Sequence, residues 1–511
     1  MNNWQKRLGA LDVSRLMGMR RGIEKESLRA TPDGRLAMTP HPAGLGSALT
    51  HPHVTTDFSE SQLELITGVE PTADDALREL TEIHQAVYRC LGDELMWASS
   101  MPCVLPDDGE IPLGQYGSAN IGRAKTVYRM GLGHRYGRRM QTISGIHYNW
   151  SLPGVDSDDY FALIRNFRRH SFLLLLLFGA SPALCGSFVR GREHGLQDLL
   201  DAQGQPRGSL YLPHATSLRM GRLGYKSDAQ SSLAVSYNSL EGYAASLNEA
   251  LSRPYAPYQT LGIQDANGRY QQLSTTLLQI ENEFYGTIRP KRVIRSGERP
   301  LHALRERGVQ YVEVRCMDLD PFEPVGINAA TMRFIDIFLL HCLVSDSPPD
   351  TPAEIAALAR NQLLTASSGR EPGLKLERGS ETVELVSWAQ ELLSDFAPIA
   401  ARLDDTLGGS QYAEALAMGR ARLAAPASLP SARVLQSMVD EHGASHIDFV
   451  RHASIQAREH LLALPATPVL LARFDRFAQA SRAEQARLEA SDTLPFEAFR
   501  LQYLAPSQLQ A

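Results

Sequence analysis

The sequence is poor in cysteine: five in 511 residues (Cys90, Cys103, Cys185, Cys316 and Cys342), odd in number, scattered and never spaced as CxxC. That pattern speaks against a disulfide framework and a clustered-thiolate zinc site, and it suits a reducing compartment. Long apolar runs are also missing. The longest, Phe172 to Ala180, is nine residues behind Arg168, Arg169 and His170, whereas a bilayer span takes about 20, so a buried helix is expected there. Met1 to Gly22 contains no apolar signal segment, and Trp4, Leu8 and Leu11 space out like one face of a short helix. A cytoplasmic protein with no membrane partner is the expectation. The net charge of −6 leaves no footprint for nucleic acid.

Familiar catalytic signatures are absent too. Gly117 to Thr126 (GSANIGRAKT) approaches a phosphate loop but has Arg123-Ala124 where Lys and Ser/Thr are required, and Gly131, Gly133 and Gly137 are misspaced for a dinucleotide fingerprint. No GxSxG elbow or HExxH helix occurs. His442 and His446 fall at helical i, i+4 spacing without a third ligand and read as surface or core histidines. Each cysteine sits among apolar neighbours or beside a motif, and none is expected to be catalytic.

What is present is an ordinary globular composition, 43% hydrophobic and 21% charged, in a chain long enough for one very large domain or two. Two textures divide it. To about Gly326 helical stretches mix with period-2 segments and Gly/Pro turns; from about Ser345 the chain is rich in Ala, Leu, Arg and Glu at helical spacing. The expected division is residues 1–344 as an antiparallel-sheet core with helices and 345–511 as a helical region packed on it. Thr351-Pro352-Ala353-Glu354 reads as N-cap, N1 proline and capping-box glutamate, and Ser481-Arg482-Ala483-Glu484 repeats that box.

The period-2 segments carry the chemistry. In Gln310–Met317, Val312, Val314 and Cys316 oppose Tyr311, Glu313 and Arg315; in Gln141–Leu152, Ile146, Tyr148, Trp150 and Leu152 oppose Gln141, His147 and Asn149. Leu278–Tyr285 reads as a further strand, with Leu278, Ile280 and Phe284 opposed by Gln279, Glu281, Glu283 and Tyr285; Glu24 and Glu26 share a face, and Glu64 sits in a short apolar strand. Such alternation suits antiparallel strands with one face on a core. A solvated face would mix Lys with Glu, but here carboxylates predominate beside His147, Asn149, Tyr285 and Arg315. Carboxylates crowded on one concave surface repel unless cations neutralise them, and hard oxygen ligands favour Mg²⁺, or Mn²⁺, usually with substrate phosphates. Arg289, Lys291, Arg292 and Arg295, following directly, are candidates for gripping phosphate.

Eight segments then resemble the proteobacterial-type glutamate–cysteine ligases. They are RRGIEKESLR (20–29), HPAGLGSALTH (41–51), TTDFSESQLELIT (55–67), KTVYRMGLGHRYGRRMQTISGIHYNWSLP (125–153), FGASPALC (178–185), YLPHATSLR (211–219), LQIENEFYGTIRPKRV (278–293) and YVEVRCMDLDPFEPVG (311–326). The C-terminal third matches more loosely, chiefly at ARVLQSM (432–438); Ala119 stands where a small hydroxyl residue is expected, and Cys316 where serine is. The resemblance implies an α+β fold like the glutamine-synthetase catalytic core, an open antiparallel half-barrel with helices outside. It implies ATP-driven joining of the glutamate γ-carboxylate to the cysteine amine through γ-glutamyl phosphate, by a monomer. By matching motifs, Glu24, Glu26, Asp57, Glu64, His147 and Glu313 would hold Mg²⁺. Arg219 and Arg315 would hold the phosphoryl group or the glutamate carboxylate, and Phe58, Tyr128, Leu132, Gln141, Tyr225 and Tyr285 would shape the cysteine pocket. The competing readings are a ligase using another amine, a phosphate-ester hydrolase, and a non-catalytic nucleotide-binding paralogue.

Overall fold

The computed structural model describes residues 3–224, 228–231, 233–295 and 297–510. Its strands in chain order are β1 (Arg20–Ala30), β2 (Val54–Thr56), β3 (Gln62–Ile66), β4 (Leu95–Met96), β5 (Ile146–Ser151), β6 (Ala183–Cys185), β7 (Gln197–Leu200), β8 (Pro206–Tyr211), β9 (Ile288–Lys291), β10 (Tyr311–Met317), β11 (Lys375–Arg378) and β12 (Glu381–Glu384). Among the described residues, a seven-stranded sheet runs β2-β3-β1-β5-β10-β9 with β4 appended to β1, and its ladders are antiparallel. The sheet does not close: β2 and β9 stand at its two ends. Pro290, which has no amide hydrogen to donate, sits on edge strand β9 opposite Val312.

The alternation in the sequence is the alternation of this sheet. Ile23, Leu63, Leu65, Ile146, Tyr148, Trp150, Val312, Val314 and Cys316 are buried in one continuous core. Helices Ala73–Tyr88, Ser157–His170, Phe172–Phe178 and Ala329–Val344 supply much of the rest of it. The nine-residue apolar run is, as its length suggested, a helix buried at every position from Phe172 to Phe178. Burying apolar side chains at about 25 cal/mol per Å² makes this face the main source of stability. Polar groups on the core side are tied in pairs. Arg21 donates to Asp336 at 2.9 Å, and Tyr148 donates to the other oxygen of the same carboxylate at 2.7 Å. Lys25 Nζ lies 2.8 Å from His84 Nε2. Strand β1 is thereby clamped to helices Ala329–Val344 and Ala73–Tyr88.

Beyond residue 345 the chain is mostly helical, but the hairpin β11–β12 interrupts it. The Thr351 cap is present: its side chain accepts from the Glu354 amide and Pro352 opens the helix. The second box is not a helix start. Ser481 lies inside the continuous helix Pro468–Ser491 and its hydroxyl donates to the Ala478 carbonyl; the pattern recurs mid-helix because no proline or glycine breaks the run before it. His442 and His446 do not share a helix face either, since Gly443 and Ala444 turn the chain at positive φ between two helices. Ala119 is the N-cap of helix Asn120–Tyr136 and makes no side-chain cap bond. The Asn120 amide instead donates to the Asp492 carboxylate, so a C-terminal residue does the capping.

Candidate active site

The outward face of β1, β3, β5 and β10 gathers the acidic residues. The register sets Glu24 opposite His147, Glu26 opposite Glu64, and Glu313 opposite Asn149. His147 Nδ1 is 3.1 Å from Glu24 and 4.0 Å from Glu313, while its Nε2 is 3.5 Å from Glu26. Asn149 donates to the second oxygen of Glu24 at 3.0 Å. One ligand atom each from Glu24, Glu64 and His147 falls within 4.8 Å of the others. Asp57 follows β2, its amide donating to the Gln62 carbonyl.

Cations rim the acids. Arg315 reaches Glu313 at 3.0 Å and Lys291 reaches its other oxygen at 3.1 Å. Arg219, 1% exposed, donates to the Arg315 carbonyl at 2.8 Å and lies 3.9 Å from Asp318. Asp318 in turn accepts from the Ser181 hydroxyl, the Ser217 hydroxyl and the Ala180 amide. Glycine at 145 is required by this packing: a Cβ there would stand 2.0 Å from the Arg219 guanidinium.

Burial raises carboxyl pKa values and neighbouring charges redistribute the effect. Burial, then Asp57, pushes Glu26 up to about 8. Burial and the carboxylates of Glu24, Asp57 and Glu26 push Glu64 well above the ordinary range. Burial acts the same way on Glu313, yet Lys291, Arg315 and His147 bring it well below that range. Glu24 also ends below its ordinary value: burial and Glu313 raise it, and the His147 hydrogen bond with Lys291 outweighs them. Burial and then Arg315 keep the His147 imidazole below its usual value, hence neutral and able to ligate. The protein thus holds a surplus of carboxylate that its own cations only partly neutralise.

The expected pocket residues fall in two groups. Phe58 and Leu132 are buried in one apolar cluster with Tyr128 packed against it. Gln141 donates to the Tyr285 hydroxyl at 2.7 Å, and Tyr285 stands edge-on to Tyr136 with ring centroids 5.7 Å apart. Tyr225 lies outside the described residues.

Other expectations are corrected. Leu278–Tyr285 is not a strand; Glu281–Glu283 form a 3₁₀ turn. Glu281 pairs with buried Arg299 at 2.6 Å, and Glu283 pairs with Arg135 at 2.8 Å and accepts from Tyr136, so both acids belong to interior ion pairs away from the acidic face. Gln141 sits in a 3₁₀ turn, Met140–Thr142, ahead of β5 rather than on it. Of the basic segment, Lys291 forms an ion pair with the carboxylate cluster, and Arg289, opposite Glu313 in the ladder, adds its charge. Arg289 donates to the Asn282 and Phe284 carbonyls, Arg292 to those of Arg307 and Gly308, and Arg295 to Glu306. Sequence reasoning missed Lys125 and Arg129. They lie on helix Asn120–Tyr136, where Arg129 donates to the Asp57 and Thr56 carbonyls and burial, with Arg129, pulls Lys125 down to about 8. Their spacing of one helical turn was the available signal.

Comparison with known proteins agrees with this geometry. The glutamate-cysteine ligase family matches residues 10–365. A glutamate–cysteine ligase of Alcanivorax borkumensis is 45% identical over 98% of this chain and 99% of its own, and that of Azotobacter vinelandii 49% over 95% and 94%. The crystal structure of the Francisella tularensis glutamate–cysteine ligase in complex with AMP superposes with a TM-score of 0.89 at 35% identity, covering 96% of this chain and 98% of that one. A bifunctional glutathione synthetase from Pasteurella multocida shares the fold, with a TM-score of 0.70 at 24% identity over 94% of this chain and 58% of that one. Matched nearly end to end by enzymes of one name, the chain belongs to the glutamate–cysteine ligase family.

Proposed function

We propose that this protein joins the γ-carboxylate of glutamate to the amine of cysteine, converting ATP to ADP and phosphate, on the acidic face of an open half-barrel of the glutamine-synthetase type. The observation that carries the reading is the convergence of Glu24, Glu26, Glu64, His147 and Glu313 on one sheet face, within a chain matched end to end by such ligases. Residues 345–511 form, on this reading, a helical part packed on a catalytic core at 1–344.

The acidic face fits magnesium. His147 Nε2 and Asn149 Oδ1 are buried without a hydrogen-bond partner, and the two carboxyls pushed upward, Glu26 and Glu64, are groups that a cation would return to the ionised form. Glu24, Glu26, Asp57, Glu64, His147 and Glu313 would hold it, and bound Mg²⁺ would neutralise charge on the ATP phosphates.

A carboxylate is a poor acyl donor, so the terminal phosphoryl group is first transferred to the γ-carboxylate of glutamate, releasing ADP. The cysteine amine then attacks the acyl carbon and expels phosphate. Arg315 and Arg219, joined through the Arg315 carbonyl, hold the phosphoryl oxygens or the glutamate carboxylate, and Lys291 shares Glu313 with Arg315. Orientation of the reactants and charge stabilisation do most of the catalysis. Phe58, Tyr128, Leu132, Gln141 and Tyr285 shape the cysteine pocket.

The test is to supply ATP, Mg²⁺ and glutamate with and without cysteine, measuring phosphate release and product mass. Cysteine-dependent phosphate with a γ-glutamylcysteine product is expected. Cysteine-independent turnover, or a preference for another amine, overturns the assignment of the acceptor.

A further inference from the structure

Away from the acidic face, two helices bring together a second set of ligating side chains. His170 ends helix Ser157–His170; His341 and Cys342 lie near the end of helix Ala329–Val344. One potential ligand atom from each of the three lies within 4.8 Å of the others. His341 is 4% exposed and Cys342 wholly buried, while half-buried His170 opens the group toward the surface. The Asp395 carboxylate, at the end of helix Leu385–Asp395, is 3.8 Å from His341 Nε2.

Aromatic packing accounts for part of this cluster. His341 stands edge-on to Trp4 and tilted against Phe396, and His170 is edge-on to Trp388. Packing does not account for the nitrogens, because the Nδ1 atoms of both His170 and His341 are buried without a hydrogen-bond partner. A buried imidazole nitrogen with no partner is costly, and metal coordination satisfies it. Two imidazoles and a thiol form a set that selects a borderline-soft ion over Mg²⁺.

We propose that His170, His341 and Cys342 form a three-ligand binding site for a divalent cation of the zinc class. Binding forms a metal–sulfur bond, and the Cys342 thiol proton leaves to solvent. The bound ion ties helix Ser157–His170 to helix Ala329–Val344. Its role is structural: Asp336, on the same long helix, is the group that clamps Arg21 and Tyr148 beneath the sheet, so the ion stiffens the support of the acidic face without touching substrate.

The measurement is a Co²⁺ titration of the whole protein with Mg²⁺ in excess to occupy the carboxylates, followed by displacement with Zn²⁺. Thiolate ligation produces a near-ultraviolet charge-transfer band that carboxylates do not. One equivalent of band-forming Co²⁺, displaced by Zn²⁺, is expected in the parent protein, together with a rise in Tm on Zn²⁺ addition. Cys342→Ser and His170→Gln should each abolish the band or weaken binding at least tenfold while ligase turnover stays near normal. His170→Gln, at a half-buried position, decides the matter if Cys342→Ser fails to fold. Absence of the band in the parent protein, or an unchanged band in His170→Gln, overturns the proposal.

Discussion

Glu313 and Glu64 occupy opposite electrostatic positions in the same cluster. Glu313 is held ionised by Lys291 and Arg315, whereas Glu64 is crowded by other carboxylates. Replacing either by glutamine keeps the shape and removes the ionisable carboxyl. Solvent cannot replace a ligand on a buried sheet face in the right geometry, so Glu313→Gln and Glu64→Gln should each cut kcat by about 10²-fold or more. The check is turnover at saturating Mg²⁺ alongside circular dichroism, which should be unchanged; near-normal turnover in both would refute the cation-binding role of this face. Tyr285 tests the amine pocket. Its hydroxyl is bound to Gln141, and packing differences of this kind are worth about 1–3 kcal/mol. Tyr285→Ala should raise KM for cysteine at least several-fold and change KM for ATP and glutamate less. A selective loss for glutamate or ATP would move the amine pocket elsewhere and leave the family unaffected.

At the scale of elements, β1 displays two chemistries because its residues alternate. Glu24 and Glu26 face the site; Lys25, between them, is 3% exposed beneath the sheet against His84. Burial pulls Lys25 down to about 7. The unfolded chain keeps this lysine protonated to about 10.4, so above about 7 the unfolded state binds more protons and stability must rise with pH until about 10.4. Lys25→Met should lack that rise, which urea unfolding of both proteins across the window will reveal. Strands β3, β5 and β10 were legible in the sequence because each alternates over a buried apolar face, whereas β1, with Arg21 and Lys25 on its core side, was visible only through Glu24 and Glu26. Leu278–Tyr285 alternates equally well and misleads. Its glutamates are satisfied by Arg135 and Arg299, 148 and 18 residues away in sequence, and no local pattern announces such partners. Lys291 was visible as part of a basic run, but only the pairing of β9 with β10 singles it out from Arg292 and Arg295.

For the whole molecule, the crowding of carboxyls on the sheet face has a cost that depends on pH. Glu26, pushed up to about 8, and Glu64, pushed well above the ordinary range, bind protons more tightly folded than unfolded. The unfolded chain releases those protons near the ordinary carboxylate value of about 4.3. Between there and about 8 the folded state therefore binds more protons, and this contribution to stability falls as pH rises. Glu24 and Glu313, shifted downward, are ionised in both states throughout that window and add no slope. A divalent ion competes with the same protons, because only the ionised carboxyls ligate. Mg²⁺ should accordingly bind more weakly at pH about 6 than at pH about 9, and should release protons when it binds at neutral pH. Comparing Tm with and without saturating Mg²⁺ cancels the titration of distant groups such as Lys25. The gap should widen by several degrees from the lower pH to the higher. Calorimetry in buffers of different ionisation enthalpy should show the proton release directly, and Glu26→Gln should reduce both effects. A gap independent of pH, with no protons released, would mean that the acidic face does not bind Mg²⁺ through these carboxyls.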